Sequence, residues 1–253
     1  MSALEIASLE VQQGAFSLHV GHWIARSGEC HALLGPNGAG KTSLLRTIAG
    51  ELRYQGDILL HGKDIRRWDP LRRARHLAVL PQASQLSFGF TAAEVVALGA
   101  TPLSLGQREL RAAVQRVMGL TDCISLSGQL YPGLSGGEKQ RVHLARVLLQ
   151  LSQAEQAPVL LLDEPTSAQD LGQQHAVLSQ VRRLCIEQGY AVVAVLHDLN
   201  QALRYAQHCS LIYGGGVAAA GEPRQVINPA SVQQYWGYAA EQIATTQGLL
   251  QIL

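Results

Sequence analysis

The chain has 253 residues, 47% hydrophobic and 15% charged with a net charge of +1, which gives it the length to bury a sizeable core and too little polarity for disorder. That balance lacks the basic excess of a general nucleic-acid binder, so no nucleic-acid partner is expected. The four cysteines, Cys30, Cys123, Cys185 and Cys209, have no CxxC pair and no histidines at zinc-ligand spacing, which argues against a metal cluster or disulfide framework and suits a reducing cytosol.

Short apolar alternations at Leu4 to Ile6 and Phe16 to Val20 predict an antiparallel β layer. A buried strand follows at His31 to Leu34, stopped by Gly35-Pro36. Thr42 to Ala49 reads as a helix ending at Gly50, and Gly56 to Leu60 and Leu77 to Leu80 as strands. From about residue 82 to Gln150 the pattern turns helical, with Thr91 to Leu98 and Gln107 to Met118 separated by turn-rich stretches, so residues 83–150 are expected to form an inserted helical subdomain. The α/β pattern returns with a strand at Val159 to Leu162, a helix at Gln173 to Gln188, a strand at Ala191 to Leu196, a helix at Asn200 to Gln207 and a hairpin turning at Gly214 to Gly216. The expected fold is α/β, one domain over residues 1–253 with a mostly parallel sheet and a small tail at 221–253. The longest apolar runs fall far short of the ~20 residues that span a bilayer, and no export signal is present, so any membrane role is expected to come through a partner.

Gly35-Pro36-Asn37-Gly38-Ala39-Gly40-Lys41-Thr42 matches the P-loop pattern and stands where that motif works, after an apolar strand and before a helix. Glycines let backbone N–H groups turn toward one centre, and the helix N-terminus adds its positive end, so polyphosphate charge meets fixed dipoles. Lys41 is expected to reach the β- and γ-phosphates, Thr42 to bind Mg²⁺ and Ser43 to support the phosphate contacts. A P-loop alone does not separate kinases, GTPases, helicases and transporters.

The strand Val159 to Leu162 runs into Asp163 and Glu164, adjacent carboxylates whose side chains point in different directions. Asp163 suits Mg²⁺, and Glu164 suits orienting and deprotonating the water that attacks the γ-phosphate. Leu134-Ser135-Gly136-Gly137-Glu138 opens another helix whose free N–H groups make a second anion site, redundant in a monomer but useful if it covers ATP held by a partner's P-loop. Taken alone, Ser135 to Glu138 reads better as a capping box at a helix start.

The P-loop, Leu-Ser-Gly-Gly-Glu and a strand ending Asp-Glu, in this order, resemble the nucleotide-binding subunit of ABC transporters over nearly the whole chain. The resemblance adds Gln82 as the Q-loop residue near Mg²⁺, the attacking water and the membrane partner. It adds Ser167-Ala168-Gln169-Asp170 as the D-loop and His197 as the switch histidine contacting the γ-phosphate. It implies ATP and Mg²⁺ as cofactors, a homodimer closing on two ATP molecules, two permease subunits, a periplasmic binding protein acting indirectly, and a peripheral place on the cytoplasmic face of a bacterial inner membrane. Lys41, Glu164, His197 and Gln82 are then the catalytic set. Gly35 to Ser43, Ser135, Gly136, Gly137, Glu138 and Asp170 hold nucleotide, and Thr42, Gln82 and Asp163 the metal.

This chain departs from the family pattern at two places. No aromatic occurs within Leu9 to Gln13, which leaves Phe16 as the candidate to stack on adenine, and Gln169 stands where the D-loop usually carries Leu. Ser87 to Gly99 and Leu144 to Gln150 resemble importers of hemin, iron-siderophore complexes and cobalamin, ranked in that order. A soluble ABC ATPase with a non-membrane partner is the alternative of another class, although the chain has one engine and no heptad run. The basic cluster Arg66-Arg67-Trp68 and Arg72 to Arg75 reads as a solvated face or as a docking contact.

Overall fold

The computed structural model describes residues 1–82, 88–167, 169–244 and 250–252. In chain order the elements begin with β1 (Ser2–Gln13), β2 (Phe16–Arg26), β3 (Cys30–Leu34), α1 (Lys41–Ile48), β4 (Gln55–Leu60), β5 (Lys63–Asp64), α2 (Pro70–His76) and β6 (Leu77–Leu80). Three helices follow: α3 (Ala92–Ala97), α4 (Gln107–Leu120) and α5 (Gly136–Gln150). Then come β7 (Val159–Asp163), α6 (Leu171–Gln188), β8 (Ala191–Val195), α7 (Leu199–Tyr205), β9 (His208–Tyr213) and β10 (Gly216–Gly221), and last α8 (Pro223–Val226), α9 (Pro229–Trp236), β11 (Gln242–Ala244) and β12 (Leu250–Ile252).

Ten strands form one sheet in the order β5-β4-β1-β2-β10-β9-β3-β8-β7-β6. Strands β9, β3, β8, β7 and β6 run parallel, and β1 pairs antiparallel with β2 and β4. The two halves join through β10, which is antiparallel to β9 and touches β2 at the single pair Gly216↔His19. The expected antiparallel layer and parallel core are therefore one continuous surface, and the join falls just where the Gly214–Gly216 turn brings β10 back.

The central strands are apolar without interruption because both faces are covered. Alternation still sorts them: Leu160 and Leu162 of β7 and Val192 and Ala194 of β8 face a core shared with α5 and α6, whereas Val159, Leu161, Ala191 and Val193 face Leu44, Leu45 and Ile48 of α1. The loop after β3 and Glu164 after β7 thus leave the sheet at the C-terminal ends of their strands, between two packed layers. Helices α3, α4 and α5 pack on one another, and α5 also reaches β6.

Local chemistry moved some element ends. Asp170 caps α6 by accepting from the Gln173 N–H at 2.9 Å, so the helix starts at Leu171, two residues before the periodic pattern suggested. The α7 helix stops at Tyr205, short of the predicted Gln207, because the Gln207 amide oxygen accepts from the Cys30 N–H at 2.7 Å and its backbone N–H donates to the Cys30 carbonyl. The tail is attached through α7. The Asn200 amide donates to the Ile252 carbonyl at 3.0 Å and accepts from its N–H at 2.8 Å, imitating a strand partner for β12.

The basic cluster is paired locally: Arg66 with Asp64 and Asp57, and Arg72 with Glu155, while the Trp68 ring packs against His76 at 5.0 Å. All four cysteines are free and buried. Among the described residues no helix is long and apolar enough to cross a membrane.

Two histidines inside this core make stability pH-dependent. Burial pushes His31 down to about 3 and His143 to about 4, with His208 and Arg26 adding to the first and Arg146 to the second. Both are neutral when folded, whereas the unfolded chain takes up their protons below about 6.5. Stability should thus fall as pH drops from that value toward the folded ones, by about 2 kcal/mol per histidine at pH 5. Melting temperatures between pH 7.5 and 5 test this. His143→Gln keeps a partner for the Tyr131 hydroxyl, 2.7 Å from His143 Nε2, and should shrink the fall.

Candidate functional site

The cleft forms where β3 ends. Gly35 has φ of 139° and a Cβ there would lie 2.1 Å from the Ile212 carbonyl oxygen, so the loop runs flush against β9 before climbing to α1. Gly40, with φ of 110°, occupies the N-cap of α1 and offers no side-chain acceptor, which leaves the first-turn N–H groups of that helix for an external anion. The cleft measures about 490 Å³ and is lined by Asn37 to Ser43 with Gln13, Phe16 and Glu164. Phe16 stands over Gly40: a Cβ on that glycine would come within 2.7 Å of the ring.

The Lys41 ammonium donates to the carbonyls of Gly35 at 2.8 Å and Pro36 at 3.0 Å, closing the loop on itself. Burial pushes its pKa down, and the carboxylates of Glu164 and Asp163 oppose that shift. The Thr42 hydroxyl donates to Asp163 Oδ1 at 3.1 Å, and the Ser43 hydroxyl to Gln13 Oε1 at 2.8 Å. Burial raises the Asp163 pKa, with the Thr42 hydrogen bond pulling the other way. A hydroxyl and a carboxylate in contact, beside phosphate-directed N–H groups, are hard oxygen donors of the kind Mg²⁺ takes with a nucleotide, so the residues fit that ion.

Glu164 follows β7 with φ of 51°, a conformation that non-glycine residues seldom adopt, and costs of order 1–3 kcal/mol unless its surroundings hold it. They do hold it. Its Oε2 accepts from the Gln82 amide at 2.6 Å, its Oε1 lies 2.6 Å from His197 Nε2, and its carbonyl accepts from Gln140 and Ser167. Residues 82, 164 and 197, which lie at the ends of three different chain segments, therefore meet at one carboxylate. Gln13 and Gln140 were not singled out by sequence; each carries only an amide, and only the folded chain places them beside Ser43 and Glu164.

The remaining candidates do not join this group. Ser135, Gly136, Gly137 and Glu138 are absent from the cleft lining. The Ser135 N–H donates to Glu138 Oε2 at 2.8 Å, as does its hydroxyl, and the hydroxyl accepts from the Glu138 N–H. The capping box is real, and the backbone N–H of Ser135, joined by its hydroxyl, holds the Glu138 carboxyl below the usual range. It leaves the N–H groups of Gly136 and Gly137 as the free donors of that helix end. Asp170 is occupied in capping α6. Residues 83–87, which follow Gln82, and Ala168 of the D-loop lie outside the described residues.

The sequence pattern of the family described as "ABC transporter" matches residues 18–167. The chain is 52% identical over 229 residues to the Hemin import ATP-binding protein HmuV of Shewanella denitrificans, covering 90% of each, and 48% identical over 215 residues to the protein of that name in Vibrio cholerae, covering 85% of this chain and 83% of that one. Among solved structures it superposes with TM-score 0.84 on a chain of an inward-facing putative metal-chelate type ABC transporter, at 23% identity over 100% of this chain and 97% of that one. It superposes with TM-score 0.78 on cbiO1 from Clostridium perfringens, at 26% identity over 92% and 93%.

Proposed function

Because the chain belongs to the ABC transporter family and is the ATP-hydrolysing subunit of an importer, we propose that two copies close on two Mg-ATP molecules and drive hemin through a separate pair of permease subunits. The protein then works as a peripheral subunit on the cytoplasmic face of the inner membrane, with a periplasmic binding protein delivering cargo from the other side. Hemin is favoured by the relatives named for it.

One observation carries the two-copy reading. The P-loop cleft is lined without residues 135–138, although these end a helix with unspent N–H donors. A second phosphate-facing helix end has no use in one chain and completes a site if it covers the nucleotide of a partner.

Within that site the loop N–H groups and Lys41, released from the Gly35 and Pro36 carbonyls, hold the β- and γ-phosphates. Thr42, Asp163 and Gln82 would hold Mg²⁺, which supplies neutralising charge when bound. Glu164 orients the attacking water and takes its proton, His197 donates to a γ-phosphate oxygen, and Phe16 stacks on the base.

The test is reconstitution with its permease and binding protein in proteoliposomes, with ATP hydrolysis measured on adding hemin, a ferric siderophore or cobalamin. Stimulation by hemin alone is expected. Stimulation by one of the others would reassign the cargo, and full-speed hydrolysis by isolated monomers would overturn the shared site.

A further inference from the structure

The hairpin joining β1 to β2 leans over the phosphate loop and touches it through both residues that flank its turn. The turn is Gly14-Ala15, with Gly14 at φ of 58° and its carbonyl held by the Gln12 amide at 2.7 Å, so Gln13 and Phe16 are paired directly across the strands. Side chains so paired leave the same face, with Cβ atoms roughly 4.5–5.5 Å apart. Phe16 is the ring that stands over Gly40, while Gln13 reaches the third residue of α1, where the Ser43 hydroxyl donates to its Oε1 at 2.8 Å. Both side chains line the cleft.

The bond to Ser43 decides what Gln13 can offer. A glutamine amide accepts on oxygen and carries two donors on nitrogen. With its oxygen turned to the Ser43 hydroxyl, the nitrogen faces away from α1, and among the described residues its N–H groups have no protein partner. Gln13 is half-buried at the rim of a cleft about 490 Å³ in volume, so a group entering that cleft meets a fixed pair of donors. Its place between two neighbours says which group that is. Ser43 lies two residues past Lys41, on the phosphate side, and Phe16 is the ring read as stacking on the base. A side chain bonded to the first and paired with the second stands between phosphate and base, where a nucleotide has its sugar, whose hydroxyl oxygens accept.

We infer that Gln13 is a specificity-determining residue that donates to a ribose hydroxyl, so that the site prefers ribonucleotides to their deoxy forms, with Ser43 as the positioning residue that holds the amide in the donating orientation. The inference deepens the reading of the cleft as a nucleotide site and rests on it, but makes no use of a second copy. Removing the sugar oxygen removes one neutral hydrogen bond at a half-buried position, which sets the preference at about three- to tenfold. Freeing the amide from Ser43 lets it present oxygen as readily as nitrogen, which weakens the preference without touching the phosphate loop's own N–H groups.

Calorimetric titration of the full chain with Mg-ADP, Mg-2′-deoxy-ADP, Mg-3′-deoxy-ADP and Mg-pyrophosphate reads the sugar with no γ-phosphate to hydrolyse. The parent should bind ADP about three- to tenfold more tightly than at least one of the deoxy forms, and that form names the hydroxyl. Gln13→Met, close in length but without the amide, should bring ADP down to the level of that deoxy form while leaving the deoxy form and pyrophosphate within about twofold of the parent. Ser43→Ala should narrow the same gap. Equal binding of ADP and both deoxy forms by the parent, a gap that survives Gln13→Met, or a loss that falls equally on ADP and its deoxy form would each overturn the inference, the last because Gln13 would then only brace the hairpin. If Gln13→Met fails to fold, Ser43→Ala decides, and an undiminished gap there overturns the inference. A parent that binds neither ADP nor pyrophosphate would instead sink the nucleotide reading of the cleft.

Discussion

Glu164→Gln should slow ATP turnover by roughly 10²- to 10⁴-fold, the usual loss when a positioned general base is removed, while ATP still binds. The substitution keeps size and shape and removes only the basic oxygen. In the proposed site the phosphate contacts come from loop N–H groups and Lys41, all of which the substitution leaves in place. Without the proton acceptor the closed state cannot discharge, so the variant should elute as a dimer in ATP and as a monomer without it. Phosphate release and size-exclusion chromatography measure the two halves of this expectation. Hydrolysis at the parent rate would remove Glu164 from the role of base and leave its contacts with His197 and Gln82 as packing alone.

Gly35→Ala should be among the most damaging single methyl groups at the described glycines. Its Cβ would meet the Ile212 carbonyl oxygen at 2.1 Å, on a backbone with φ of 139°. The obstacle is β9, which is held to β3 by the parallel pairs from His31↔His208 to Leu34↔Leu211, so neither partner can yield cheaply. Backbone strain and overpacking together should cost about 3 kcal/mol of stability. The loop that does form would be displaced from the geometry that aims its N–H groups, lowering ATP affinity by about a hundredfold or more. Urea unfolding and titration with a fluorescent nucleotide check both. Parent-like affinity would mean that the loop tolerates a shift its packing says it cannot.

These two residues were legible for different reasons. Gly35 opens a pattern in which spacing alone carries meaning, since glycines, a lysine and a threonine at fixed intervals build one local object. Glu164 was legible because an apolar strand cannot end in paired carboxylates without a use for them once a phosphate cradle is present. Both signals are short-range. The strands and helices that position them were legible in the same way, through runs that are apolar on both faces or periodic on one, and the start of α6 and the end of α7 shifted where Asp170 and Gln207 competed for the backbone.

Residues whose meaning comes from distant partners stayed silent. Gln140 and Gln13 are ordinary amides in the sequence, and no spacing relates residue 13 to 43. The join between antiparallel and parallel strands through Gly216 and His19 was equally hidden, because pairing across some two hundred residues leaves no local trace. The sequence by itself determined the phosphate-loop pattern, the α/β class and the order of the central strands and helices, since these follow from local spacing and periodicity. Only the tertiary structure decided that Gln82 and His197 meet at the Glu164 carboxylate and that residues 135–138 stand apart from the cleft. Those arrangements depend on how layers pack, and packing is set by the whole chain at once.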